Sequence, residues 1–203
     1  MSRYEFLVET YRTERLKTLG VWSQIPTARL AWRPEPRARS PFEHMVHQCM
    51  SEDAWMRTML GIVIERPVLP QEENRRAFLE HYAACSADRL AALQTQPDHW
   101  FEEETQFFDV RRTRAWVLTR RITHTAHHRG QLTMYIRTWG LPLYSTYGPT
   151  ADTGGLPKHG GHVVYRNPST GALFSEREDA PGPPLPEPGG QPVTERPGDV
   201  AGS

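Results

Sequence analysis

Three of the chain's nine histidines fall within five residues, in the run His124-Thr125-Ala126-His127-His128. On a helix, residues four apart stand one turn above each other on the same face, so His124 and His128 present two imidazoles to one ion. Two ligands leave a first-row transition metal under-coordinated, and a third donor must come from another element. An earlier helical segment offers His44 and His47. Three neutral imidazoles with one position left open is a pattern of reactive rather than purely structural metal sites, since structural zinc usually takes four protein ligands, often thiolates. The plainer reading is that an i,i+4 histidine pair decorates a solvated helix face. Spacing alone also leaves His127 open, about 60° around the helical wheel from His124.

Other residues are set aside on the same grounds. His81 and His99 read as surface or core-edge residues, and His159 and His162 as loop residues in the run GGLPKHGGH. Cys49, two residues after His47, points to nearly the opposite side of its helix and reads as core. The zincin pattern H-E-x-x-H needs a glutamate directly after the first histidine as general base; position 125 is Thr, which disfavours peptidase chemistry. Gly130 in mid-helix costs about 1 kcal/mol against alanine, which predicts a second helix packed closely there. Arg129 and Gln131 are placed to pair with carboxylates or to support the histidines.

The elements that must position these residues are helices. A first helix is predicted from the capping-box pattern Ser2-Arg3-Tyr4-Glu5, with Gly20 as its C-cap. Three prolines between Gln24 and Ser40 mark a loop. Ser40-Pro41-Phe42-Glu43 is a second, stronger start signal, with Ser40 as cap, Pro41 in the first helical position and Glu43 closing the box. The helix it opens runs to about Leu60. A third helix is predicted from Glu72 to about Leu93, then a connection from Pro97 to Asp109 whose aromatics cover one end of the bundle. A fourth spans roughly Thr113 to Trp139, stopped by Gly140 and Pro142. Four helices with mostly polar connections predict a bundle with its metal site built from inward-facing side chains on different helices. Beyond, His162–Tyr165 and Ala172–Phe174 flank a turn-rich segment and predict a short β-hairpin. The proline- and glycine-rich stretch from residue 176 predicts a disordered tail. The expected organisation is thus a bundle over residues 1–150, an extension over 151–175 and the tail over 176–203.

Composition narrows the function classes. Lys+Arg and Asp+Glu both total 24, so no basic excess points to nucleic acid or to an anionic membrane. No apolar run approaches the ~20 residues needed to span a bilayer, and the N-terminus lacks a signal peptide's apolar stretch, so a soluble, cytoplasmic protein is expected. Two cysteines, Cys49 and Cys85, make no disulfide framework and read as small core hydrophobes.

Two segments, LAWRPEPRARSPFEHMVHQCMSEDAWM and HTAHHRGQLTMYIRTWGLPLYSTYG, together resemble the DinB/YfiT-like family over about residues 1–150. The resemblance implies an up-down-down-up four-helix bundle with a three-histidine metal site, one ligand on the second helix and two on the fourth. Carried over by position, these are His47, His124 and His128, and His127 occupies a position the family does not reserve for a ligand. It also implies a divalent ion, zinc or nickel, a small-molecule substrate and, for many members, a homodimer. Some related proteins are transferases or isomerases that use bacillithiol or mycothiol, so the leading expectation is a metal-dependent transferase attaching a low-molecular-weight thiol to an electrophile. Glu52, Asp53 and Arg129 are candidates to support the ligands. The competing expectations are a non-catalytic, stress-associated metal-binding protein and a metal-dependent hydrolase.

Overall fold

A computed structural model describes residues 2–167, 169–175 and 180–186. Four long helices dominate it: α1 (Glu5–Ser23), α2 (Pro41–Thr58), α3 (Arg75–Gln94) and, after a short α4 (Asp98–Glu102) and a hairpin of β1 (Glu104–Phe107) and β2 (Val110–Thr113), α5 (Arg114–Thr138). α6 (Thr170–Ser175) follows in the C-terminal extension. α1 packs on α3 and α5, and α2 on α5 and α3. Among the described residues no helix is long and apolar enough to cross a membrane.

Local chemistry accounts for three of the four long starts. Ser40 Oγ accepts from the Glu43 amide at 3.3 Å while Glu43 Oε2 accepts from the Ser40 amide at 2.8 Å, closing the expected box with Pro41 inside it. Asn74 Oδ1 accepts from the Ala77 amide at 2.9 Å, and Thr113 Oγ1 from that of Trp116 at 3.3 Å. α1 departs from expectation: its N-cap is Tyr4, with no side-chain cap, while the Ser2 hydroxyl accepts from the Tyr4 amide and donates to Asp98. Gly20 does not end α1 either. The helix continues to Ser23 because Val21 and Trp22 are buried in the core, and burying them outweighs a glycine stop signal.

Each long helix reads apolar, polar, apolar along its buried face, and the order reveals the topology. One core cluster gathers Leu19, Trp22, Met45, Phe78, Leu132 and Ile136; the other gathers Leu7, Met56, Leu60, Leu93, Val117 and Leu118. α1 and α5 run from the second cluster to the first, α2 and α3 from the first to the second, which is the up-down-down-up order. Between the clusters lie buried polar side chains: Glu14 and Thr18 on α1, Gln48 and Glu52 on α2, Ser86 and Arg89 on α3, Arg121 and Thr125 on α5.

The connection after α3 forms a hairpin in antiparallel register, Glu104 opposite Thr113 and Phe107 opposite Val110. Its two-residue turn puts Phe108 at φ +50°, a conformation hairpins normally reserve for glycine or asparagine. A C-terminal hairpin was the expectation instead, and there the structure differs. Ser169 Oγ accepts from the Ala172 amide at 3.2 Å and opens α6, which buries Leu173 against the core with Phe174 packed beside it. His162–Tyr165 forms no strand; Val164 bonds through its carbonyl to the Ser145 amide at 2.9 Å. The tail expected to be disordered lies mostly outside the described residues. The described 180–186 touch both the end of the 1–150 segment and the extension: the Tyr144 hydroxyl donates to the Pro183 carbonyl at 2.7 Å and Arg166 to the Ala180 carbonyl at 2.7 Å.

Candidate metal centre

α2 and α5 face each other in the polar middle layer and bring His47, His124 and His128 together. One ring nitrogen from each lies within 4.8 Å of those of the other two. His124 Nε2 and His128 Nε2 are 2.9 Å apart, the ring centroids of His47 and His128 4.7 Å. Gln131, one turn further along α5, fixes the His128 tautomer: Nδ1 donates to its carboxamide oxygen at 2.8 Å, which leaves the Nε2 lone pair turned toward the other two rings. His47 Nε2 and His124 Nδ1 are buried without a hydrogen-bond partner among the described residues.

A trio of inward-turned imidazole nitrogens, one of them orphaned in a protein interior, is costly unless something else completes it. A divalent cation does so, and the donor set fits one. Burial, aided by the nearby charges of Arg39 and Arg121, lowers His47 to about 4, and burial aided by Arg121 lowers His124 to about 3; burial also lowers His128, against the pull of its bond to Gln131. All three are therefore neutral near pH 7, the form that offers a lone pair to a metal. His44, the alternative that spacing left open, is buried one turn away with its ring 5.2 Å from that of His128, lowered to about 4 mainly by burial, and stands outside the trio. His127 is exposed on the other side of His128 and also stands outside it.

The trio opens onto a cleft of about 770 Å³. Trp55 stacks on His124 with ring centroids 5.6 Å apart and planes 12° from parallel. Phe107, Phe108 and Trp116 extend the aromatic wall, with Phe107 5.2 Å from Trp55 and 4.9 Å from Trp116. The remaining rim includes Arg39, Arg120, Thr123 and His127.

The sequence pattern of the DinB family matches residues 1–155. The chain belongs to the DinB family. Its fold is that of a DinB-like protein from Bacillus cereus ATCC 10987, with a TM-score of 0.63 at 20% identity over 70% of this chain and 97% of the other. A second DinB-like protein, YjoA from Bacillus subtilis, gives a TM-score of 0.54 at 19% identity over 68% of this chain and 97% of its own. The uncharacterized protein YrdA of Bacillus subtilis (strain 168) is 31% identical over 84 residues, 41% of this chain and 50% of the relative, so the match spans half of that protein's length.

In this DinB bundle Gln131, of the residues expected to support the histidines, reaches one of them, and the others do not. Glu52, Asp53 and Arg129 do not touch the three histidines. Glu52 accepts from the hydroxyls of Tyr11 at 2.5 Å and Tyr82 at 3.2 Å and from Gln48 at 2.7 Å; Asp53 pairs with Arg57 and Arg89; Arg129 turns toward α1, to Glu14 and Tyr147. Gln131 is the residue that orients His128, and Trp55 the one that packs on His124. Gln131 was legible as the position one turn past His128. Trp55 carried no such signal, because an aromatic eight residues after His47 reads equally well as core. No helix packs on Gly130: it is exposed, and a Cβ there would enter open space.

Proposed function

We propose that the chain binds a divalent ion, zinc or nickel, through His47, His124 and His128 and acts as a metal-dependent transferase that joins a low-molecular-weight thiol to an electrophile. The observation that carries this reading is the opening of the histidine trio onto the cleft: a site that served only to brace the bundle would need no open face. An ion held there supplies Lewis acidity, which favours thiolate over thiol.

The protein's own residues supply position and shelter. Gln131 holds the His128 tautomer and Trp55 backs His124, so two ligand rings are fixed before anything binds. The aromatic wall excludes water from one side of the cleft. Neither cysteine of the chain competes with an external thiol: Cys49 and Cys85 are both buried, and burial pushes both thiols up, away from thiolate. In the transfer, the S–H proton passes to solvent through the open mouth, the sulfur pair forms the S–C bond and the leaving group departs with its bonding pair. A hydrolase would want a carboxylate base, and none lines the cleft among the described residues.

The test is metal content followed by conjugation. After metal-free purification and reloading with zinc or nickel, wild type should hold one ion per chain, and His47→Ala, His124→Ala and His128→Ala should lose it while His127→Ala keeps it. Loaded wild type should then consume a model electrophile such as monobromobimane faster than thiol alone. An ion retained by all four variants overturns the site; loaded protein without conjugation across several thiols and electrophiles overturns the transferase.

A further inference from the structure

The cleft is one-sided in charge. The chain has equal numbers of acidic and basic residues, 24 of each, yet no Asp or Glu lines the cleft among the described residues, whereas Arg39 and Arg120 do. Most arginines in the fold are committed: Arg33 to Glu43, Arg57 to Asp53, Arg89 to Asp53 and Glu52, Arg129 to Glu14, Arg137 to Asp152. The guanidinium groups of Arg39 and Arg120 have no hydrogen bond or ion pair with any described residue, and both residues are exposed. Arg39 is also near enough that its charge disfavours protonation of His44, His47 and His128.

The opposite wall is apolar, and its tip is held at a cost. Phe108 is the one non-glycine residue at positive φ among the described residues, a conformation disfavoured by roughly 1–2 kcal/mol for a side chain with Cβ. It is nevertheless 65% exposed, 4.8 Å from Phe107 and 6.0 Å from Trp55 by ring centroid. A turn selected only for stability would place glycine there; a phenylalanine that stays exposed at a cleft rim has a surface to offer something else.

We propose that the cleft takes an organic anion, with a flat apolar or aromatic body against Trp55, Phe107, Phe108 and Trp116 and an acidic group at the arginine-bearing rim, met by Arg39 or by Arg120. Guanidinium suits this role because its planar fork meets carboxylate, sulfonate or phosphate oxygens two at a time. This deepens the transferase reading by naming the class of the electrophile, and it rests on that reading for the occupant's being a substrate.

The test compares naphthalene-2-sulfonate, whose anionic group is a poor metal ligand, with uncharged 2-naphthalenemethanol. Binding is followed by calorimetry at low salt on the full chain, with and without its ion, and metal content is measured in each sample. The sulfonate should bind about tenfold more tightly, a difference that Arg39→Gln with Arg120→Gln abolishes without weakening the alcohol. Phe108→Ala should weaken both probes by a similar factor. Equal affinity for the two probes, a preference that survives in the double arginine variant, or inorganic sulfate binding as tightly as the naphthalene sulfonate would each overturn the proposal. Because the anion preference should also be present in the metal-free protein, its failure is distinguishable from failure of the metal site, which shows as lost metal, and of the transferase reading, which shows as absent conjugation.

Discussion

Two polar clusters share the middle layer of the bundle, and they differ in what completes their bonding. Around Glu52 the protein does so: both carboxylate oxygens accept hydrogen bonds, Arg89 lies 3.7 Å away, and Gln48 links onward to Thr125 at 2.9 Å and receives Arg121 at 3.1 Å. Only the Nε atoms of Arg89 and Arg121 are left over. Around His47, His124 and His128 the protein bonds one outward nitrogen, His128 Nδ1 through Gln131, leaves His124 Nδ1 unpartnered among the described residues behind a ring stacked on Trp55, and turns one nitrogen of each ring toward the others. A satisfied buried network fixes the relation of helices to each other. An unsatisfied one beside a cleft leaves bonding that an ion or small molecule could complete. Arg121 joins the two, bonded to Gln48, Ser51 and Thr125 on one side and lying 5.3 Å over the Trp55 ring that backs His124.

The sharpest way to break this contrast is to truncate one member of each cluster and read stability and metal content together. Glu52→Ala leaves Arg89 with one carboxylate partner fewer and strips acceptors from Tyr11, Tyr82 and Gln48; removing one partner of a buried pair costs on the order of 3–5 kcal/mol. Urea unfolding of the metal-free protein should show that loss. His128→Ala should cost the metal-free protein only on the order of 1–2 kcal/mol, less than Glu52→Ala, since it removes two hydrogen bonds between neutral groups, to Gln131 and His124, beside a cleft from which water can replace them. A loss as large as that of Glu52→Ala would mean that the histidines brace the fold.

Loading sharpens the same contrast from the other side. With free ion at about a thousandfold over its dissociation constant, wild type should gain roughly 4 kcal/mol by linkage, and His128→Ala nothing. The gain, read as a shift in Tm with zinc or nickel, should persist in Tyr82→Phe, which removes one bond to Glu52 but touches no ligand.

Acid titration probes the satisfied layer at its α1 edge. Burial would raise the Glu14 carboxyl, but Arg129, Lys17 and Tyr147 together hold it below its usual value of 4.5. The unfolded chain therefore binds this proton at higher pH than the folded one. The stability from this group is fully present above about pH 4.5 and is lost as pH falls through the folded value. Glu14→Gln should be less stable at pH 7 and lose less between pH 5 and 3 when melting curves of metal-free protein are compared; parallel curves would mean that Glu14 has no such linkage.

What the sequence disclosed follows the range of the forces involved. The i,i+4 histidines and the Ser40–Glu43 box are local patterns, and both reappear in the structure, as does the helical bundle itself. The family resemblance, not spacing, separated His47 from His44 and His127. The satisfied layer was illegible, since Glu52, Arg89 and Arg121 look like ordinary solvated helix charges until three helices bring them together. The hairpin was hidden because its turn carries Phe108 where a turn motif would show glycine. Leu173 and Phe174 looked β-prone locally, but a serine cap and the core's demand for apolar surface made their segment helical.

The smallest effect separates local helix propensity from the ion. Gly130 lies in the interior of α5 two residues past His128, exposed, with nothing within 4 Å of where a Cβ would stand. Alanine there should stabilise the metal-free protein by about 0.5–1 kcal/mol, because the unfolded chain loses freedom and no neighbour is displaced. If the satisfied layer already holds α5 in its binding conformation, the gain should be the same in loaded protein and the ion's affinity unchanged. If instead the ion orders this turn of α5, Gly130→Ala should shrink the loading shift in Tm, because part of the ordering would already be present without metal. A smaller shift would make the two clusters parts of one cooperative unit; an equal shift would keep them apart.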